Sequence, residues 1–74
     1  CSALVAANSG LADIQRIVAN AQDYLVAGGW LVIEHGYDQR EAVQSIFTAN
    51  TFVDVQTFYD LANLPRITLG KQEF

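Results

Sequence analysis

The residues best suited to chemistry form the run Glu34-His35-Gly36. Four consecutive bulky apolar residues, Trp30 to Ile33, precede this run and predict a strand that ends there. Ligands in open α/β sheets bind outside the carboxyl ends of the strands, so polar groups at this point face a binding site. We therefore predict that this run lies on the substrate face, where Glu34 or His35 contacts a substrate or positions a group that does.

The same three residues also have a purely structural interpretation, which the sequence leaves open. In it, Glu34 accepts hydrogen bonds from neighbouring backbone and from the following helix. His35 is then an exposed turn residue, and Gly36 supplies a special backbone dihedral angle.

Other catalytic and metal-binding patterns are missing from the sequence. None of the five glycines forms a G-x-G pattern, so no phosphate or nucleoside cradle is encoded. His35 is the only histidine and Cys1 the only cysteine, which excludes a zinc cluster and an internal disulfide. A triad drawn from Ser45, His35 and Asp38 lacks the G-x-S-x-G turn. We assign no catalytic, cofactor-binding or metal-ligating residue.

Length and composition limit the class of protein. The 74 residues are 51% hydrophobic, which excludes disorder and suits one small domain. The net charge of −4 makes nucleic acid an improbable partner. The longest run without a polar side chain, Tyr24 to Ile33, is too short to span a membrane. A signal peptide has basic residues ahead of its apolar stretch, whereas the first basic residue here, Arg16, lies within a predicted amphipathic helix. We expect a cytoplasmic protein and, since methionine is absent, a fragment of a longer chain.

Two amphipathic helices are predicted to surround the apolar strand. The first covers residues 11–26, with Ser9 as its N-cap and Gly28-Gly29 closing it. The second covers residues 39–50, begins with a capping box of Asp38 and Glu41, and ends at Asn50-Thr51. Their apolar faces consist of Ile14, Ile17, Val18, Ala21 and Leu25 in the first helix and Ala42, Val43, Ile46 and Phe47 in the second.

Two further strands complete an α/β fold with the order α-β-α-β-β. Residues 52–59 alternate as a half-exposed strand, and a short last strand around residues 66–71 forms an antiparallel hairpin with it. The first strand is apolar on both faces, which is typical of a parallel strand covered by helices on both sides. We expect its parallel neighbour to lie outside this chain.

Several side chains have simple structural interpretations. Trp30 is expected to pack against a helix, and Tyr24 and Tyr59 to border the core. Asp60 and Arg66 bracket the hairpin loop and are expected to form an ion pair.

The chain resembles the carboxyl-terminal quarter of the HemK/PrmC-type release factor glutamine methyltransferases. The more specific part of the match is Glu-His-Gly followed by Gln39. The matching segments are Ala3-Leu4-Val5-Ala6-Ala7, Ser9-Gly10-Leu11-Ala12-Asp13-Ile14, Leu25-Val26-Ala27-Gly28-Gly29-Trp30-Leu31, Glu34-His35-Gly36-Tyr37-Asp38-Gln39, and Asp60 with Arg66-Ile67-Thr68-Leu69-Gly70.

This resemblance implies a partial class I, Rossmann-like methyltransferase fold. The strand at 30–34 then corresponds to the fifth strand of the family's sheet and the next to the sixth. The last corresponds to the seventh, which is antiparallel and inserted between them. Residues 1–74 would be the carboxyl-terminal portion of a methyltransferase domain. The family often has glycine where Asn50-Thr51 stands, and its loop ahead of Arg66 commonly contains glycine where this chain has Asn63-Leu64-Pro65.

The resemblance also implies an activity. Such enzymes use S-adenosylmethionine to methylate the glutamine amide of the Gly-Gly-Gln tripeptide in peptide-chain release factors. Their Asn-Pro-Pro-Tyr tetrapeptide and glycine-rich cofactor loop are absent here, so both would lie outside this segment, which alone would be inactive. Two alternatives stay open: a free-standing small α/β protein-interaction module, and a segment of a Rossmann-like methyltransferase with another substrate.

Overall fold

The computed structural model describes residues 3–6 and 10–73. The elements are β1 (Ala3–Ala6), α1 (Leu11–Ala21), β2 (Trp30–Glu34), a 3-10 helix (Tyr37–Gln39), α2 (Arg40–Ala49), β3 (Phe52–Tyr59) and β4 (Pro65–Gln72). The four strands form one sheet in the order β1-β2-β4-β3. β4 is antiparallel to both of its neighbours, so the predicted hairpin and the insertion of the last strand between the other two are confirmed.

The predicted order α-β-α-β-β was wrong in omitting β1. Ala3–Ala6 pairs in parallel with β2, in a register that places Ala3 opposite Leu31. The parallel neighbour that we expected outside this chain is therefore within it, and β2 is paired on both sides. A run of only four apolar residues carries little strand signal by itself, and β1 forms a strand through its pairing with β2.

Both helices pack on one face of the sheet, where they bury a common core. The apolar faces predicted for the two helices are confirmed as the faces that point into it. The buried core residues are Ile14, Val18, Ala21, Leu25, Leu31, Ile33, Val43, Phe47 and Phe52.

The other face of the sheet is not covered by a helix among the described residues, so the expectation of helices on both sides of β2 was wrong for this part of the chain. Trp30 and Val32 lie on that face and are half-buried, because side chains alternate along a strand. Trp30 does not pack against a helix as predicted: the ammonium of Lys71 lies 5.8 Å from the centroid of its ring.

Helix α1 is shorter than predicted, ending at Ala21 instead of residue 26. Leu25 is buried beyond the helix end, which is why the apolar series continues past it. The N-cap position is taken by Gly10, while Ser9 lies outside the described residues. Gly28, at φ +82°, closes a tight turn before β2 and not the helix itself.

Helix α2 begins differently from the prediction and ends where predicted. The capping box of Asp38 and Glu41 was wrong, because a 3-10 turn starts at Tyr37 and the side chain of Gln39 accepts a hydrogen bond from the Gly36 amide, with N to Oε1 2.8 Å. At the other end of α2, Thr51 takes the left-handed conformation, with φ 65°.

A β-bulge divides β3. Val53 pairs with Lys71 and Gln56 with Leu69, so two residues of β3 lie opposite one residue of β4. Asp54, within the bulge, has φ 53°. The bulge puts Val53 on the face of the sheet opposite to that of Val55, whereas simple alternation predicted the same face for both.

Gly70, in β4, lies directly against the ring of Phe47, which belongs to α2. A Cβ atom at this position would lie 2.6 Å from Cδ2 of Phe47, whose ring is fully buried. Phe47 in turn packs edge-on against Phe52, with ring centroids 5.3 Å apart. Neither helix of the described part of the chain is long and apolar enough to cross a membrane.

Candidate functional site

Glu34 is the last residue of β2, and its side chain is exposed. No group among the described residues hydrogen-bonds its carboxylate, so the interpretation in which it accepts bonds from the following helix was wrong. A carboxylate without a protein partner at the carboxyl end of a strand is free to accept a hydrogen bond from a bound molecule.

His35 is buried, with 2% of its surface exposed, so its interpretation as an exposed turn residue was wrong. Its ring Nδ1 lies 2.8 Å from the carbonyl oxygen of Gly36, and its Nε2 lies 2.8 Å from the hydroxyl of Thr68. Its backbone amide donates to the carbonyl of Arg66 at 2.9 Å. The residue therefore points back into the sheet and the core, while Glu34 points out.

Three polar residues that the sequence analysis did not single out continue the contacts of His35. The hydroxyls of Thr68 and Thr57 are 2.7 Å apart, and the side-chain amide of Gln44 donates to Thr57 at 2.8 Å. Thr57 lies opposite Thr68 in the pairing of β3 with β4, and Gln44 lies on α2. Finding them requires the strand register, which depends on the bulge in β3.

Gly36 has an ordinary extended backbone, with φ −72°, so the expected special dihedral angle was wrong. A side chain at this position would instead meet close neighbours. A Cβ atom would lie 3.1 Å from Oδ1 of Asp38 and 3.4 Å from Oε1 of Gln39, the oxygen that accepts the Gly36 amide hydrogen. The backbone of this turn therefore lies directly against the side chains that fix it.

A shallow cleft of about 460 Å³ adjoins this turn and is lined by Tyr37, Asp38, Arg40, Glu41, Tyr59 and Pro65. Tyr59 does not border the core as predicted; it is 48% exposed, and its hydroxyl accepts a hydrogen bond from the guanidinium of Arg40 at 3.0 Å. Tyr37 is 57% exposed, and the guanidinium of Arg66 lies 5.8 Å from its ring centroid. Tyr24, also 55% exposed, lies in the turn after α1 and outside this cleft. The cleft thus offers aromatic faces and charged groups at the end of the sheet where Glu34 lies.

The predicted ion pair of Asp60 and Arg66 is confirmed, with Nε to Oδ2 3.0 Å. The other carboxylate oxygen of Asp60 accepts the backbone amides of Ala62 and Leu64 at 2.9 and 3.0 Å. The pKa of Asp60 lies below its ordinary value of 3.8. The largest cause is the hydrogen bond from the Leu64 backbone amide, and the second is the hydrogen bond from the Arg66 side chain. Asn63 supplies the left-handed residue of this loop, with φ 64°. The loop holds Arg66 beside Tyr37.

The described residues do not fit a nucleotide-type cofactor. Gly28, the glycine with a positive φ among them, lies in the turn that begins β2, at the end of the strand opposite Glu34. Its amide is already used, donating to the carbonyl of Gln72 at 2.8 Å. No group of three metal-binding side chains occurs in the described part of the chain.

A mixed sheet with an antiparallel strand inserted between two parallel ones is compatible with a partial methyltransferase fold. No model of a protein family matches the chain. Individual proteins, however, are similar to it over nearly its whole length. The release factor glutamine methyltransferase of Pseudomonas aeruginosa is 51% identical over 70 residues, which cover 95% of this chain and 25% of that protein.

The proteins of the same name from Escherichia coli strain K12 and Buchnera aphidicola are 46% and 42% identical, over 95% and 96% of this chain. The chain is thus a homologue of the carboxyl-terminal segment of release factor glutamine methyltransferases, which confirms the resemblance predicted from its sequence. It spans about a quarter of the length of these relatives.

Proposed function

We propose that this chain is the carboxyl-terminal portion of a Rossmann-like, S-adenosylmethionine-dependent methyltransferase. In this proposal the intact enzyme acts in the cytoplasm and methylates the glutamine amide of the Gly-Gly-Gln tripeptide in peptide-chain release factors. The observation that carries the proposal is the identity of 42–51%, over at least 95% of the chain, to proteins named release factor glutamine methyltransferase. The position of β4 between β2 and β3, which that family implies, supports it.

The role of this segment is to form one wall of the substrate pocket. S-adenosylmethionine supplies the methyl group, and the residues that bind it lie outside this segment, since the described residues do not fit it. The partners of the segment are the rest of its own methyltransferase domain and the release factor.

Glu34 is the group of this wall that we propose contacts the substrate. An amide nitrogen is a weak nucleophile because its lone pair is delocalised, so orientation and hydrogen bonding of the amide contribute much of the rate enhancement. The carboxylate of Glu34 is exposed and has no partner among the described residues, so it can accept a hydrogen bond from an amide N–H.

The experiment compares Glu34→Gln with a matched control, Glu73→Gln, in the intact protein that carries this segment. Glu73 is also exposed but follows β4, at the opposite end of the sheet. Methylation of a release factor is followed by mass spectrometry of the peptide that contains Gly-Gly-Gln. We expect Glu34→Gln to lower kcat/KM by about tenfold, because a charge-assisted hydrogen bond becomes a weaker neutral one, and Glu73→Gln to leave it unchanged.

Two different outcomes contradict two different parts of the proposal. If the unsubstituted protein transfers no methyl group to that glutamine, the proposed activity is wrong. If it does so and Glu34→Gln is as fast as the control, the activity stands and the role of Glu34 is wrong.

A further inference from the structure

His35 begins a chain of hydrogen bonds that crosses the sheet from the candidate site to α2. From the site inward, the chain runs from the Gly36 carbonyl to the two ring nitrogens of His35, and on to Thr68, Thr57 and Gln44, with successive distances of 2.8, 2.8, 2.7 and 2.8 Å. His35 and Thr68 are buried, with 2% and 0% exposed surface. The hydrogen-bond chain is therefore shielded from solvent at His35 and Thr68, the part that adjoins the site.

The two end groups of this hydrogen-bond chain fix the direction of its first and last bonds. The carbonyl of Gly36 can only accept, so Nδ1 of His35 carries a hydrogen. The amide nitrogen of Gln44 can only donate, so the Thr57 oxygen accepts there. Neither threonine hydroxyl has another hydrogen-bond partner among the described residues, so every hydrogen finds an acceptor only when Thr57 donates to Thr68 and Thr68 donates to Nε2 of His35.

We infer that His35 is held as the neutral Nδ1–H tautomer and acts as a positioning residue for the turn that carries the candidate site. In this state each hydrogen between Gln44 and Gly36 has an acceptor. A protonated ring donates from Nε2 as well, which reverses both hydroxyls and deprives the Thr57 hydrogen of its acceptor in the chain. The Nε2–H tautomer instead leaves the Gly36 carbonyl without its ring donor.

The position that the chain fixes is that of the Gly36 peptide. The carbonyl of Gly36 accepts from His35 and also from the backbone amide of Gln39 at 3.1 Å, while its own amide donates to the Gln39 side chain. Glu34 directly precedes His35, the residue that anchors the Gly36 peptide. A shift of the turn therefore moves the carboxylate of Glu34. That the positioned group serves methyl transfer rests on the proposed function; the tautomer and the anchoring of the turn do not.

The first test is nitrogen NMR of the intact protein labelled with ¹⁵N-histidine. The signals of His35 are assigned by their loss in His35→Gln. We expect Nδ1 to show the shift of a protonated nitrogen and Nε2 that of an unprotonated acceptor at neutral pH. Protonated Nε2 with unprotonated Nδ1, or averaged shifts of two exchanging tautomers, would overturn the inference.

The second test uses a matched pair at Thr68. Thr68→Val keeps the shape of the side chain and removes the hydroxyl, whereas Thr68→Ser keeps the hydroxyl. We expect Thr68→Val to move the Nε2 shift and to speed hydrogen exchange at the Gly36 and Gln39 amides by about fivefold, the factor that corresponds to one hydrogen bond of average net strength. Thr68→Ser should leave both close to those of the unsubstituted protein.

Thr57→Val cuts the chain one bond further from the site and serves if Thr68→Val does not fold, since Thr57 is only half-buried. It should speed hydrogen exchange at the Gly36 and Gln39 amides by a smaller factor. Unchanged exchange at Gly36 and Gln39 in the variants that fold would show that the chain does not position the turn.

The same variants separate this inference from the proposed function. If the intact protein methylates release factors, Thr68→Val should lower kcat more than it raises KM, and Thr68→Ser should restore the rate. Loss of the NMR and exchange signatures with activity intact overturns the inference alone. Their presence in a protein without methyltransferase activity leaves the inference standing and overturns the proposed function.

Discussion

Single residues with left-handed backbone close the loops of this chain, and they differ in how well they suit that conformation. Gly28 and Asn63 are residue types that adopt it readily. Thr51 has a branched Cβ, which crowds its backbone at φ 65°. Asn50, the residue before Thr51, has φ −101°, and its side-chain amide caps α2 by donating to the carbonyl of Ile46.

Replacing Thr51 by glycine should stabilise the protein. Glycine removes the steric cost of a left-handed branched residue, about 1–2 kcal/mol, and part of this gain is offset by its greater freedom in the unfolded chain. The bond from the Thr51 hydroxyl to the Asn50 carbonyl is also lost, but it is exposed. We expect a net gain of about 1 kcal/mol in the free energy of unfolding, measured by urea denaturation, and a loss with Thr51→Val.

The carboxylate of Asp60 should make stability depend on pH in the acid range. Its pKa is lowered in the folded protein, so its contribution is fully present above the ordinary value of 3.8 and is lost as the pH falls through the lower folded value. The Tm of the unsubstituted protein should therefore fall between neutral pH and pH values below 3.8. The fall in Tm should be smaller in Asp60→Asn. Asp23→Asn, an exposed carboxylate in the turn after α1, is the control and should keep the full fall.

Among the elements, β4 sets the distance between the sheet and α2. Gly70→Ala places a methyl group 2.6 Å from a ring atom of Phe47, and that ring is enclosed by core residues. We expect a loss of about 1–3 kcal/mol in the free energy of unfolding, the usual cost of overpacking. The double variant with Phe47→Leu should be more stable than the sum of the two single effects, as measured in a double-mutant cycle. If the effects of the two substitutions on the free energy of unfolding add strictly, the contact between position 70 and Phe47 is not the source of the strain.

The sequence predicted most elements because their signals are local. The apolar faces of α1 and α2, the bounds of β3 and the hairpin follow from periodicity within short windows. The parts that were missed depend on contacts between distant residues. β1 exists through its pairing with β2, and the burial of His35 depends on Thr68, which lies 33 positions away. Local patterns hold no information about either partner.

The candidate site shows the same division. The position of Glu34 at a strand end could be predicted from the apolar run before it, and the structure places it there. The neighbours of His35 could not, because Thr57 faces Thr68 only once the bulge at Asp54 has shifted the register of β3. A bulge depends on one residue's backbone angle, which no alternation of residue types encodes.

At the scale of the whole molecule, the sheet has a helix layer on one face only among the described residues. In the proposed function, the residues that bind S-adenosylmethionine lie outside this segment. We therefore expect the isolated segment to bind S-adenosylmethionine no better than a buffer blank in titration calorimetry and to transfer no methyl group to a release factor. Binding at micromolar affinity by the 74-residue chain would contradict this and would place the cofactor site within the segment.

β3 ends the sheet, and its outer backbone groups have no partner strand among the described residues. An unbroken strand of eight residues at such a margin is a template on which another extended chain can add, which is how many proteins begin to aggregate. The β-bulge at Asp54 interrupts that template near its start. The carboxylate of Asp54 also forms an ion pair with Lys71 on β4, with Nζ to Oδ2 3.1 Å. The irregularity that shifts the register of the site thus also makes this edge a poorer template for self-association.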